Sequence, residues 1–456
     1  MRPLALAVAA ALGVGGPAAA QQLAPLQLVR ADEDYSALKD PQKRAGLEAQ
    51  LKYIPLEGQV WLSLGGELRE RIDVDNAARF GIGASDDTYV LQRLLVHADL
   101  HLGDRVRVYA ELGRHSAFGK QPPLSVSDHD AVDLQNAFVD LLPDPALRIR
   151  IGRQELLLNP QQRFVSVREG PNVRQSFDGI RATWTPAGSG WRIDAIAMHP
   201  VKIVPGTFND SSDRSQDFWG LYIARSFAAW GGRWEVDGYG FELGRNAVRY
   251  GAVTGDERRR SFGLRLAGRG GPWDLDWEGL VQTGSFAGRD IRAWAVGLDT
   301  GYTLRAPWKP RLGFRLDVAS GDRDPHDGRL QTFNPLFPKG AYFNETALTS
   351  WANLTAPRAS IRVQPRDDLT LEASITGRWR TSVHDAVYLQ PAIPLPQTLT
   401  NTYRRVGTAF GLDVGWKPTR NLSLTGELVR QSAGPAITAA GGHDSDFAML
   451  IVQFRF

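Results

Sequence analysis

The chain has 456 residues, 43% of them hydrophobic and 23% charged, and no cysteine. That polarity excludes a bundle of membrane-spanning helices, and the missing thiols exclude a disulfide scaffold, thiolate catalysis and cysteine-based zinc sites. Lys plus Arg is 53 against 50 for Asp plus Glu, a formal charge of +3, too little for long-range attraction to nucleic acid.

Residues 1–20 read MRPLALAVAAALGVGGPAAA, with Arg2 as the only charge, an apolar run over 4–14 and small residues at Ala18 and Ala20. This is the three-part pattern of a secretory signal peptide, with cleavage expected near Ala20. Gly13, Gly15, Gly16 and Pro17 would break a buried helix before it reached a useful length. No later window offers the roughly 18 apolar residues of a spanning helix, so an exported chain is periplasmic, secreted or an outer-membrane barrel. Residues 21–60 read as a periplasmic segment with a short helix over 41–52, with Asp40 as N-cap and Pro41 at the first helical position.

Alternation then takes over and runs from 61 to 456. In 61–73, Leu62, Leu64, Leu68 and Ile72 share one face, and Ser63, Glu67, Arg69, Arg71 and Asp73 share the other. The pattern predicts strands at 61–73, 89–102, 105–115, 131–142, 147–158, 177–186, 191–199, 217–228 and 233–243. It continues at 260–268, 273–283, 291–301, 310–319, 351–364, 369–379, 404–417, 421–431 and 446–456. That is about eighteen, the even number expected of a bacterial transmembrane antiparallel β-barrel. Connections after even-numbered strands are mostly brief, as at 103–104 and 143–145, and those after odd-numbered strands are mostly long, the longest being 320–350. Short periplasmic turns and long extracellular loops obey that parity. Trp184, Trp191, Trp230, Trp234, Trp273, Trp308 and Trp416 gather near the short turns, where an interfacial girdle would sit. The closing strand ends on Phe456, which resembles the signal read by the outer-membrane barrel assembly machinery.

Eighteen strands enclose a lumen too wide to be filled by wall side chains, so inward residues decide what passes. Placing the apolar face in lipid turns Arg69, Arg71, Arg93, Arg107, Arg148, Arg150, Arg181, Arg265, Arg315, Arg358 and Arg362 inward. The run 161–178 adds Arg163, Arg168 and Arg174, with Gly170 and Pro171 forcing a turn into the barrel mouth. A phase change near Gly152, as in a β-bulge, would bring Arg153 and Glu155 inward as well. Guanidinium groups favour anions and bind carboxylates by paired hydrogen bonds. Inward acids, including Glu67, Glu111 and Asp133, are the expected counter-charges, so part of the arginine set is expected to be paired.

The runs LQRLLVHADLHLGDRVRVYAELG (91–113), LQNAFVDL (134–141), IGRQEL (151–156), QRFVSVREGPNVRQSFDG (162–179), FWGLYI (218–223) and TFNPLFPKGAYF (332–343) resemble the alginate-export family of outer-membrane proteins. The resemblance covers most of the chain after the signal segment and is strongest over 86–225. It implies an eighteen-stranded barrel with an electropositive constriction that exports a linear polyuronate, and it points to Arg153, Arg163, Arg168 and Arg174 as constriction residues. Where the family's exporter has a long late periplasmic turn acting as a plug, the connection here, 417–421, is short.

No HExxH, Walker or G-x-S-x-G motif occurs, and the eight His residues are scattered. No enzymatic activity, cofactor or metal is therefore expected; the acidic loop clusters 128–130 and 322–327 lack the spacing of a calcium loop. The reading is an outer-membrane channel with an Arg-rich, anion-selective lumen that exports alginate or a similar acidic polysaccharide. The alternative is a general or nutrient-uptake porin for small anions. Expected partners are the polyuronate, outer-membrane lipid, the assembly machinery and periplasmic export components, with no nucleic acid.

Overall fold

The computed structural model describes residues 23–83, 86–250 and 253–456, so the export segment expected at 1–20 lies outside the described residues. The chain forms a closed antiparallel barrel of eighteen strands. They are β1 (Val60–Asn76), β2 (Asp87–Leu102), β3 (Val106–Phe118), β4 (Asp130–Asp144), β5 (Leu147–Gln154) and β6 (Phe177–Trp184). Next come β7 (Trp191–Lys202), β8 (Gln216–Ala229), β9 (Gly232–Tyr250), β10 (Val253–Gly270), β11 (Trp273–Phe286) and β12 (Arg289–Thr303). The last are β13 (Arg311–Ala319), β14 (Leu354–Arg366), β15 (Leu369–Trp379), β16 (Arg405–Trp416), β17 (Leu422–Ala433) and β18 (Ser445–Arg455). Each pairs with the next, and β18 returns to β1 from Glu67↔Arg455 to Asn76↔Asp446. Closure leaves no unpaired edge in lipid.

All eighteen expected strands are present, and the departures are at their ends. The β9–β10 ladder runs past Leu243↔Arg259 to Tyr250↔Val253, where a loop was expected. Beyond the hydrocarbon band the outward face no longer has to be apolar: Arg258 and Arg260 there pair with Glu242 at 3.3 and 2.8 Å. The alternation signal stops while the hydrogen-bond ladder continues. Strand β5 instead ends at Gln154, short of the expected 158, because Leu156 and Leu158 turn into the lumen and are fully buried. The outer face carries the exposed band seen at Val96, Val108, Leu264, Phe314, Leu412 and Leu428. Trp184, Trp191, Trp230, Trp273, Trp308 and Trp416 are exposed near the short turns, whereas Trp234 is buried, its indole N–H donating to the Ala229 carbonyl at 2.7 Å.

The lumen is not an open cylinder. The connections 155–176 and 320–353 fold into it, and the largest hydrophobic core of the molecule lies inside the barrel. Phe164, Phe333, Phe337, Tyr342 and Trp351 of these connections pack on inward Phe177, Phe218, Phe241 and Leu280 of the wall. Wall side chains alone would leave the interior empty; two inserted connections fill much of it.

The N-terminal segment enters the opposite end. Asp40 caps a short 3-10 turn at Pro41–Lys43, accepting from the Gln42 N–H at 3.0 Å. Gly46, at φ +88, breaks the expected continuous helix, and helix α1 follows at Leu47–Lys52. Arg30 donates to the carbonyls of Gly66 (3.0 Å) and Phe456 (2.7 Å), and the Lys52 ammonium donates to that of Leu64 (3.0 Å). Val29 and Ala31 pack on Tyr109, Phe138 and Val167, deep in the barrel.

Candidate functional site

Alternation on β1–β3 points Glu67, Arg69, Arg71, Arg93 and Arg107 inward, and the inserted connection meets them there. Arg93 holds Glu67 at 2.7 Å and Glu169 at 2.5 Å, and Arg174 holds the same Glu169 at 2.5 Å and reaches Glu155 at 3.5 Å. Arg455 of the closing strand completes the pair with Glu67 at 2.9 Å. Among the described residues Arg69 has no ion-pair partner. It donates to the carbonyls of Glu169 and Gly170 at 2.9 Å and of Pro171 at 3.3 Å, gripping the turn that Gly170 and Pro171 make. Arg71 bridges Asp73 (2.8 Å), Glu345 (2.7 Å) and the Gly170 carbonyl (3.0 Å). Burial penalises the Glu169 charge, yet Arg174, Arg93 and Arg69 hold its carboxyl well below the usual range. The result is a charge lattice that fixes the inserted connection at mid-lumen.

Below it, toward the short turns, lies a vestibule of about 750 Å³. Inward positions on neighbouring strands give it Arg107 of β3, Arg148 and Arg150 of β5, Arg181 of β6 and Arg192 of β7. Arg107 is held by Asp99 at 2.6 Å, Arg150 by Asp140 at 2.7 Å, and Arg181 and Arg192 by Asp194 at 2.8 and 3.1 Å. Among the described residues Arg148 makes no ion pair, and it is exposed. Facing these arginines, Asp32, Glu33 and Asp34 of the N-terminal segment line the same cavity, and Arg107 donates to the Ala31 carbonyl at 2.8 Å.

The remaining predicted residues divide further. Arg163 sits on the far wall, bound to Asp276 (2.5 Å), Glu278 (3.1 Å) and the Tyr342 hydroxyl (3.0 Å), and Arg315 pairs with Asp317 at 3.0 Å. Arg362 pairs with Glu372 at 2.6 Å and remains half exposed. Glu111 accepts from Tyr109 (3.1 Å) and Asn136 (2.9 Å) instead of an arginine. Asp133 accepts from the backbone N–H groups of Asn209 and Asp210 at 2.8 and 2.9 Å.

Arg153 corrects the sequence reading. The register runs unbroken through Gly152 on both sides, from Leu141↔Ile149 to Ala137↔Arg153 and from Leu147↔Trp184 to Gln154↔Phe177. The extra residue that bends this wall is on β4, where the partners of Glu111 and Leu112 are Asn136 and Leu134 and Gln135 is left over. Arg153 therefore stays on the side of Ile149 and Ile151. It pairs with Asp178 at 2.9 Å beneath the connection 203–215, whose Ser212 hydroxyl binds the same carboxylate at 2.7 Å. Glu155, beyond the strand end, does turn inward. Sequence reasoning missed Glu169, Glu345, Arg455, Tyr342 and Arg30 as members of the site. Arg455 was readable from the parity of β18; the others sit on aperiodic segments.

The family model for alginate export matches residues 60–450. The chain belongs to that family. No curated protein matches it. The fold of this alginate-export family member is similar to that of Pseudomonas aeruginosa OccK9 (OpdG), with a TM-score of 0.59 at 13% identity over 87% of this chain and 98% of that one. It is also similar to P. aeruginosa OccK2 (OpdF), TM-score 0.57 at 12% identity over 87% and 97%. A second structure of OccK2, in complex with glucuronate, gives 0.55 at 12% identity over 87% and 98%. Family and fold make the protein an outer-membrane β-barrel channel.

Within this family member, cations on the inserted connections stand apart from the lattice. Among the described residues Arg168 has no ion-pair partner; it is half-buried, and burial lowers its pKa to about 10, so it stays charged at neutral pH. Burial also lowers Lys339, which pairs with no carboxylate among the described residues and joins the two insertions through its backbone N–H to the Gln162 carbonyl at 3.2 Å.

Proposed function

We propose that the barrel is an anion-selective path for carboxylated sugars, exporting alginate or a similar acidic polysaccharide. One observation carries this reading: five arginines from β3 to β7 face a single vestibule, and Arg148 among them makes no ion pair among the described residues. A ladder of guanidinium groups shared between structural acids can exchange an internal carboxylate for one on the solute, because each pair costs and returns similar energy. Arg168 and Lys339 extend free positive charge onto the inserted connections. The transport involves no chemistry and no cofactor in this reading. The chain reaches the outer membrane after signal-peptide cleavage near Ala20, and assembles there among lipid through the β18 strand ending at Phe456. The acidic 32–34 run occupies the vestibule until polyuronate or a periplasmic export component displaces it.

A second reading, uptake of small anions such as single uronates, draws on two observations. Two insertions narrow the lumen, and the similarly folded OccK2 has been crystallised with glucuronate. Reversal potentials in planar bilayers test both. The wild type is expected to prefer anions, with current blocked by oligouronate and not by a neutral oligosaccharide. Replacing Arg148 with Gln is expected to lower the anion preference by up to about fivefold, since one unit charge at contact distance in a watery lumen is worth about 1 kcal/mol. Block by the monouronate alone would favour the second reading, and unchanged selectivity in the variant would remove the vestibule from the path.

A further inference from the structure

On the outer face of the barrel, at its external end, one corner carries positive charge outside any ion pair. Strands β15 and β16 pair as far as Trp379↔Arg405, and Val406 is left over between that pair and Arg378↔Gly407. Ile375 on β15 and Phe410 and Leu412 on β16 are exposed to lipid. Alternation carries Gly377 and Trp379 to the same face, and the extra residue brings Arg405 there as well. The Trp379 indole lies in the space that a Cβ on Gly377 would need, so it is folded along the wall toward the apolar band. Arg405 donates to the hydroxyl of Thr408, the ladder partner of Gly377, at 3.3 Å.

Height along the wall fixes what this corner meets. Strand β16, from Arg405 to Trp416 at the short-turn end, is 12 residues long, which spans roughly 28 Å of the barrel axis in a strand tilted by about 40°. The apolar band of such a barrel is about 25 Å tall, so Arg405 stands at its outer edge, level with the lipid headgroups. Arg404 and the exposed Tyr403 precede it. Both arginines are exposed, and among the described residues neither makes an ion pair. Arg404 donates to the Thr381 carbonyl at 3.1 Å, so most of the five donors of each guanidinium remain for a ligand. Arg430, outward on β17, is instead held by Asp444 at 3.1 Å and Asp446 at 2.8 Å.

We infer that Arg404 and Arg405 bind a phosphate group of an outer-leaflet glycolipid of the lipid A class, whose acyl chains lie along Phe410, Leu412 and Ile375. Guanidinium groups bind phosphate by paired, charge-assisted hydrogen bonds. The aromatic rings beside the pair, Trp379 and Tyr403, suit the boundary between headgroup and acyl chain. Two cations outside any ion pair complement the headgroup, and the apolar wall directly beneath them complements the chains; a soluble polyanion would use only the first of these. The site lies on the lipid side of the wall, so it does not depend on which anion the lumen passes.

Native mass spectrometry of the full-length barrel in detergent, titrated with bisphosphorylated lipid A, tests the site. A saturable one-to-one complex is expected. Arg404→Gln combined with Arg405→Gln should weaken it about tenfold or more, because two charge-assisted contacts are lost, and should leave single-channel current unchanged, which shows that the barrel is intact. Lipid A stripped of its phosphates should bind the wild type as weakly as the intact lipid binds the double variant. Absence of a saturable complex, equal binding by wild type and double variant, or binding indifferent to the phosphates overturns the site. Displacement by inorganic phosphate or oligouronate also overturns it, in favour of a soluble anion, and equally tight binding of phosphatidylglycerol overturns the glycolipid assignment.

Discussion

The two sides of the lumen hold the inserted connections with a different balance of charge and packing. On the β1–β3 side, Arg69, Arg71, Arg93 and Arg174 fix the 169–171 turn through charges and carbonyls. On the β6–β12 side, Phe164 of the same connection and Phe337 and Trp351 of the other are held mainly by packing with Phe177, Phe218 and Leu280, and Arg163 adds a buried ion pair to Asp276 and Glu278. Packing is close to insensitive to salt, whereas partly solvated ion pairs weaken as ionic strength rises. The barrel therefore has a constriction with one more rigid face and one more electrically responsive face, and on the proposed path a polyanion would meet the responsive one.

The comparison can be broken most severely at Trp351, which is fully buried and touches Phe164, Tyr342 and Phe343. Trp351→Ala should cost about 3–5 kcal/mol, read as a lower unfolding temperature in detergent together with larger, noisier single-channel current at every salt concentration. On the other side, Glu169→Gln leaves Arg93 and Arg174 short of a carboxylate. Because the Glu169 side chain is 27% exposed, a loss of about 1–2 kcal/mol is expected after allowance for screening. Its conductance change should shrink at high salt, which the Trp351 variant's should not; equal salt dependence in both would erase the distinction between the two faces.

The smallest effect concerns the segment that closes the vestibule. Burial, with Arg30 nearby, lowers the Lys52 ammonium from the ordinary 10.5 to about 8. A lysine with a lowered pKa weakens docking while charged in both states, and that penalty is relieved as pH rises from about 8 toward 10.5. Hydrogen exchange across 23–53 should slow, relative to its intrinsic rate, over that window. Lys52→Met should show the slow exchange already at pH 7, and a flat pH response in the wild type would place the ammonium in solvent.

Much of the barrel was legible because alternation is a local property. Val96 and Leu412 face lipid and Arg93 faces inward wherever the strand sits, so strand number, parity and the inward identity of Arg69, Arg71, Arg107 and Arg181 follow from spacing alone. The site was legible only as a set of inward charges. Arg163 and Arg174 lie 11 residues apart in one motif, yet the fold sends one to Asp276 on the far wall and the other to Glu169 beside β1. Arg153 shows the limit of phase counting: Gly152 suggested a bulge, and the bulge is on the neighbouring strand at Gln135.

By itself, then, the sequence determined the architecture: eighteen alternating strands, short turns at one end and long connections at the other. Each of these is set by side-chain periodicity and turn chemistry acting over a few residues. The tertiary structure alone decided which arginines hold the insertions and which, among the described residues, stay outside any ion pair. An ion pair depends on what comes within about 4 Å, and Glu169, Glu345 and Tyr342 reach their partners from connections with no periodicity to betray where they fold.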